Sequence, residues 1–157
     1  MKRIIALTFT CLAALSAWAQ DGLRGKWNMS ESKMGVSVSI NMSFDGEASG
    51  KINDDVVVLL DISAMGISLK GEANVKIIGS YTLDGGKMNI VWDLSSYKVS
   101  YVKPIEAFKK NGEPAPDIKK KAEEMMEKSL ADVKESLKDG AVYTDVRVDG
   151  SKLRMNA

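Results

Sequence analysis

Four aspartates, Asp54, Asp55, Asp61 and Asp93, are the side chains best suited by type to do chemistry in this 157-residue chain. A pair of carboxylates flanking a glycosidic bond would supply an acid and a base or nucleophile. Their settings argue for a simpler role. Asp54 and Asp55 follow Asn53 in a short polar cluster of the kind that makes a turn, and Asp61 and Asp93 fall on the polar phase of strand-like segments. Asn53-Asp54-Asp55 also lacks the ligand number and spacing of a calcium loop. Histidine, the commonest acid–base group and a leading metal ligand, is absent from the chain. The one cysteine, Cys11, lies in a segment expected to be removed. The residue types therefore point away from an enzyme, and no catalytic residue, metal ligand or cofactor is expected.

Lys2 and Arg3 precede an apolar run from Ile4 to Trp18, and Ala17-Trp18-Ala19 has the small-x-small form of a signal-peptide cleavage site. A bilayer-spanning helix needs about 20 apolar residues. This run is shorter and stops at Gln20-Asp21-Gly22. Residues 1–19 are read as a signal peptide cleaved after Ala19, and residues 20–157 as one periplasmic or secreted domain with no membrane span after cleavage. Thr8-Phe9-Thr10 ahead of Cys11 does not form a lipoprotein box. Loss of Lys2, Arg3 and Cys11 leaves 20 basic and 21 acidic residues, a net charge of −1, and no disulfide. That balance gives no basic surface for nucleic acid.

The elements that must position these residues are mostly strands. Met34, Val36, Val38, Ile40, Met42 and Phe44 alternate with Gly35, Ser37, Ser39, Asn41 and Ser43, which gives one apolar and one polar face. Turn signals at Asp45-Gly46, Asn53-Asp54, Gly71, Asp84-Gly85-Gly86 and Asp149-Gly150 divide the chain into eight strands, near 24–30, 34–44, 47–52, 55–69, 72–83, 87–101, 141–148 and 151–156. Between 55 and 69 the apolar phase changes parity, and a bulge near Ala64 or Gly66 would restore it. Val57 and Leu59 then face outward and need cover. The implied fold is mainly β, an eight-stranded antiparallel up-and-down barrel with a helical insert before the last two strands. A sandwich would give the same alternation.

The insert is residues 103–139, which hold all three prolines and 18 charges, nine of each sign. Pro104 is placed to open a short helix, and Pro116 to open a longer one over 117–138. Ile118, Ala122, Met125, Met126, Leu130, Val133 and Leu137 form an apolar stripe at helical spacing, which Gly140 terminates. The stripe is expected to lie on the outside of the barrel over Val57 and Leu59, or to be offered to a protein partner.

Gly25-Lys26-Trp27 opens the first strand, and with it the chain resembles the lipocalins and fatty-acid-binding proteins, the calycin superfamily, here as a small secreted bacterial barrel. Thr144-Asp145 is similar to the Thr-Asp-aromatic element ahead of the seventh strand, and Arg154 on the last strand to the arginine that packs over the tryptophan. Val146 replaces the aromatic, there is no disulfide, and a helical segment interrupts the barrel. The resemblance implies that Trp27 closes one end of the barrel and that a small apolar or amphipathic ligand, such as a fatty acyl chain, is carried inside.

A pocket for that ligand would be lined by Val36, Val38, Ile40, Met42, Ile77, Tyr81, Ile90 and Trp92. Side chains equally fill an eight-stranded barrel completely. Two functions therefore follow from one pattern: an exported ligand-binding barrel, or a filled barrel that works as a structural or protein-interaction module through helix 117–138.

Overall fold

The computed structural model describes Leu15–Ser16 and residues 22–157. Cys11, the Ala17-Trp18-Ala19 site and the rest of the expected leader lie outside the described residues. The strands follow one another around one antiparallel sheet in chain order: β1 (Gly25–Lys33), β2 (Val36–Phe44), β3 (Ser49–Ala64), β4 (Ile67–Asp84), β5 (Lys87–Lys109), β6 (Ala141–Asp149) and β7 (Lys152–Asn156). One helix, α1 (Pro116–Ser136), and a 3-10 turn (Leu137–Asp139) stand between β5 and β6. No helix among the described residues is long and apolar enough to cross a membrane.

Residues 22–157 form seven strands rather than eight, because the expected strands 47–52 and 55–69 are one. The even phase Ile52-Asp54-Val56-Val58-Leu60 runs unbroken through Asn53-Asp54, and β3 pairs continuously with β2 and β4 across it. Ladder pairing on both sides outweighs the local turn preference of Asn-Asp. Gly71 likewise sits inside β4 and not at a turn. The expected turns at Asp45-Gly46 and Asp149-Gly150 reverse the chain. So do Met34-Gly35, Met65-Gly66 and Gly85-Gly86, each with both residues at positive φ. That is the type I′ requirement, whose twist matches the flanking strands. The strand expected from Met34 thus begins at Val36. The parity change near Ala64 is the hairpin itself, since Ala64 pairs with Ile67, and no bulge is needed there. Pro104 does not open a helix. It lies within β5 at a register break between Lys103 and Glu106, where no ladder bond is asked of it.

The sheet is nearly closed. With seven alternating strands, β1 and β7 run parallel and neither supplies the other's antiparallel partner. Leu15–Ser16 lies between them, with Ser16 opposite both Asn28 and Lys152 and Leu15 opposite Leu153.

Strand lengths decide where the core sits. β3, β4 and β5 have 16, 18 and 23 residues, but β6 and β7 only 9 and 5, so the far half of the sheet is left with an uncovered concave face. Helix α1 fills it. Met126 and Leu130 pack with Leu60, Val75 and Ile105, flanked by Val36, Val58 and Val99. These belong to the inward phase of their strands, so the helix covers the inside of the sheet. The expected seat over Val57 and Leu59 is not used, and Leu59 remains exposed on the outer face. At its lower end Leu137 enters the barrel core beside Trp27, Ile90 and Tyr143. The Tyr97 hydroxyl also donates to the Leu130 carbonyl at 2.9 Å, tying helix to sheet.

Candidate functional site

The barrel interior is the place where the sequence put a pocket. Ile40 and Met42 come from β2, Ile77 and Tyr81 from β4, and Ile90 and Trp92 from β5, and all six meet in one buried cluster. Val38 packs at its margin. Val36 stands apart, against the Leu60–Met126–Leu130 group under the helix. The alternation thus placed the inward phase correctly through Trp92. Beyond it the phase reverses at Asp93-Leu94-Ser95-Ser96, where β4 and β5 shift register between Lys76 and Ile78. The Asp93 carboxylate accepts from the Ser95 N–H at 3.0 Å, and the Ser96 hydroxyl accepts from the Ile78 N–H at 2.8 Å. The hydrogen bonds from Ser95 hold Asp93 below the usual carboxylate range. These side chains satisfy a bulge that turns Tyr97 and Val99 inward.

Trp27 occupies the base of the barrel and is 1% exposed, its indole N–H donating to the Leu23 carbonyl at 2.8 Å. Arg154 does not pack over it. Leu153 and Met155 are the buried residues of β7, and Arg154 points outward to Asp149 at 3.6 Å. The alternation of a five-residue strand that buries Leu153 and Met155 leaves an arginine between them no inward position. Tyr81 meets the ring of Phe44 edge-on at 4.9 Å. Its hydroxyl donates to the Gly46 carbonyl at 2.6 Å and accepts from the Gly46 N–H at 3.0 Å, closing the loop between β2 and β3. Gly79 lets the Trp92 indole lie flat against β4. A Cβ there would stand 2.9 Å from the ring and 2.7 Å from the Val91 carbonyl oxygen.

One carboxylate does point inside, and it is not at a turn. Asp54 sits in the inward phase of β3, opposite Met42 and Ile77, and is 4% exposed. Burial pushes its carboxyl up to about 7, the neighbouring Asp55 charge adds to the rise, and the Asp55 backbone N–H opposes it. Among the described residues its Oδ1 has no hydrogen-bond partner, and neither does the buried Nε1 of Trp92. Burial also raises the Tyr143 hydroxyl, to about 12, with the Asp54 charge contributing. Asp54 was picked out in the sequence but assigned to a turn, and Tyr143 was not singled out. An aspartate in phase with Ile52, Val56 and Val58 was the available signal.

The other carboxylates lie outward. Asp55 accepts from the Asn74 amide and pairs with Lys76 at 3.5 Å, and Asp61 stands 4.0 Å from Lys70. Adjacent in sequence, Asp54 and Asp55 are on opposite faces of β3, so they do not flank a common substrate position. No three acidic groups converge among the described residues as a metal ion would require. Two surface concavities lie elsewhere, one at the base beside Arg24, Lys26, Phe44 and Glu47, the other along the end of α1 beside Asp132, Glu135 and Lys138. Neither includes any of the eight expected pocket residues. No known protein family matches the chain, and no curated protein or solved structure is significantly similar to it.

Proposed function

We propose that the chain is an exported, non-enzymatic interaction module whose barrel interior is a filled core. The observation that carries this reading is the packing of the inward phase. Trp27, Ile52, Met88, Ile90 and Leu153 are the largest of the most deeply buried side chains, none more than 2% exposed, and α1 seats Met126 and Leu130 where the mouth of a ligand barrel would open. Side chains buried this deeply leave little room beside them, and a ligand would have to displace core contacts to enter. The Met126–Leu130 part of the apolar stripe of helix 117–138 is spent on the sheet, which leaves strand edges, outer faces and the exposed Met125 for contact with other proteins. Export rests on the leader pattern of residues 1–19.

A second reading keeps the calycin relationship and a small apolar or amphipathic ligand. It is favoured by the up-and-down strand order, by Trp27 at the base, and by the two unpartnered interior atoms of Asp54 and Trp92, which a ligand hydroxyl or carboxyl would satisfy. Native mass spectrometry of protein taken from the exported fraction of its own host separates the two. The filled-core reading expects the mass of the chain from Gln20 onward, alone or with a protein partner, and no small-molecule adduct. A stoichiometric small-molecule adduct that survives exchange would overturn it.

A further inference from the structure

The seam between β1 and β7 is built to take one more strand. Seven alternating strands bring these two edges together parallel, so a segment antiparallel to both continues the all-antiparallel ladder. Leu15–Ser16 is seated there, with Ser16 opposite Asn28 on one side and Lys152 on the other, and Leu15 opposite Leu153. This pair belongs to the segment that the leader pattern assigns to removal after Ala19, and its loss leaves two unpaired edges facing one gap.

We propose that in the exported chain this gap is a strand-acceptor slot, filled by an extended segment of a partner protein paired antiparallel with β1 and β7. The proposal rests on the export reading above. The walls specify the partner's chemistry. Trp27, Leu153 and Met155 are buried and face inward, so alternate residues of the guest are apolar and complete the barrel floor. The outward residues are Lys26, Asn28 and Ser30 on β1 and Lys152 and Arg154 on β7, all exposed. Arg154 is engaged by Asp149 at 3.6 Å, and Lys26 and Lys152 place positive charge on either side of the gap, so guest positions between them favour aspartate, glutamate or serine. The five residues of β7 limit the segment to about that length. Main-chain hydrogen bonds give such a complex its affinity, and the alternating side chains its selectivity.

The test uses protein secreted through its own leader, with its N-terminus read by sequencing. The probe is a synthetic peptide of residues 12–19 carried on a soluble tail, and binding is followed by calorimetry. Saturable binding is expected, strengthened several-fold at low salt by Ser16→Glu in the peptide. Methylation of one slot-facing peptide nitrogen should weaken it on the order of tenfold, the value of about one hydrogen bond. Register is checked by cross-linking. Asn28→Cys in the protein, its only cysteine after cleavage, should form a disulfide with a Ser16→Cys peptide in preference to an Ala17→Cys one. An N-terminus upstream of Leu15 overturns the export reading and the proposal with it. A Gln20 terminus with no saturable binding, or binding indifferent to N-methylation and to cysteine position, overturns the slot alone. So does protection of the β1 and β7 edge amides from exchange in the free protein, which would show the two strands already paired with each other.

Discussion

Leu130→Asp is expected to abolish or nearly abolish cooperative folding, while Met125→Asp, five residues earlier on the same helix, leaves stability within about 0.5 kcal/mol. Leu130 is 7% exposed and packed among Leu60, Val75, Ile105 and Met126, whereas Met125 is 47% exposed. A carboxylate at position 130 would be buried without a cation, at a cost of several kcal/mol against a total stability of roughly 5–15 kcal/mol for a domain. Urea titrations of both variants, followed by far-UV circular dichroism, check the contrast. Equal and small effects would mean that the helix rests loosely on the sheet. The same logic makes removal of 116–136 destructive, because it would uncover the concave face of three long strands at once.

Asp54→Asn should stabilise the protein at pH 8 and change it little at pH 4. The native carboxyl is held near 7 by burial, above its ordinary value of 3.8. Between those two values the unfolded chain has released this proton and the folded chain has kept it. Raising the pH therefore favours unfolding through that window, and the loss levels off above it. A displacement of this size corresponds to stability on the order of 4 kcal/mol. Asparagine keeps the shape and removes the ionisation, so the variant's stability should be flatter from pH 4 to 8. Denaturant midpoints at pH 4.5, 6 and 8 measure the slope. Parallel slopes for the native protein and the variant would show that Asp54 is solvated in the folded state.

Much of the fold was legible because the strands alternate cleanly. The inward phases of β2, of β4 near Tyr81 and of β5 up to Trp92 follow directly from period-two patterning. The longer helix with its Met126–Leu130 face follows from helical spacing, whereas the short helix expected at Pro104 is strand. What failed were decisions that depend on neighbours. Asn53-Asp54 has turn chemistry, yet it lies in the middle of a ladder bonded on both sides. Met34-Gly35 and Met65-Gly66 are turns whose first residue is a poor turn former. The glycine at the second position and the parity change across 64–67 were the usable signals. The helix stripe says that something must be covered. Whether that is the outer or the inner face depends on how far β3, β4 and β5 outrun β6 and β7. The short strands were read nearly at their true lengths, but the unbroken β3 and β4 and the extension of β5 to Lys109 depend on pairing with neighbours. The eight pocket positions were mostly brought together for the same reason that they fill a core, since inward alternation specifies burial and does not specify a void.

The filled interior is tested most directly by making Trp92 report from inside it. In the chain from Gln20 onward the tryptophans are Trp27 and Trp92, so Trp27→Phe leaves one emitter in the cluster with Ile40, Met42, Ile77, Tyr81 and Ile90. Delipidated protein carrying this change, titrated with a long-chain fatty acid below its aggregation limit, should show no saturable change in Trp92 emission. A saturable shift that Ile40→Asp removes would contradict the account. It would mean that the barrel opens to an apolar ligand, and that the core packing around Trp92 is a closed state of a pocket.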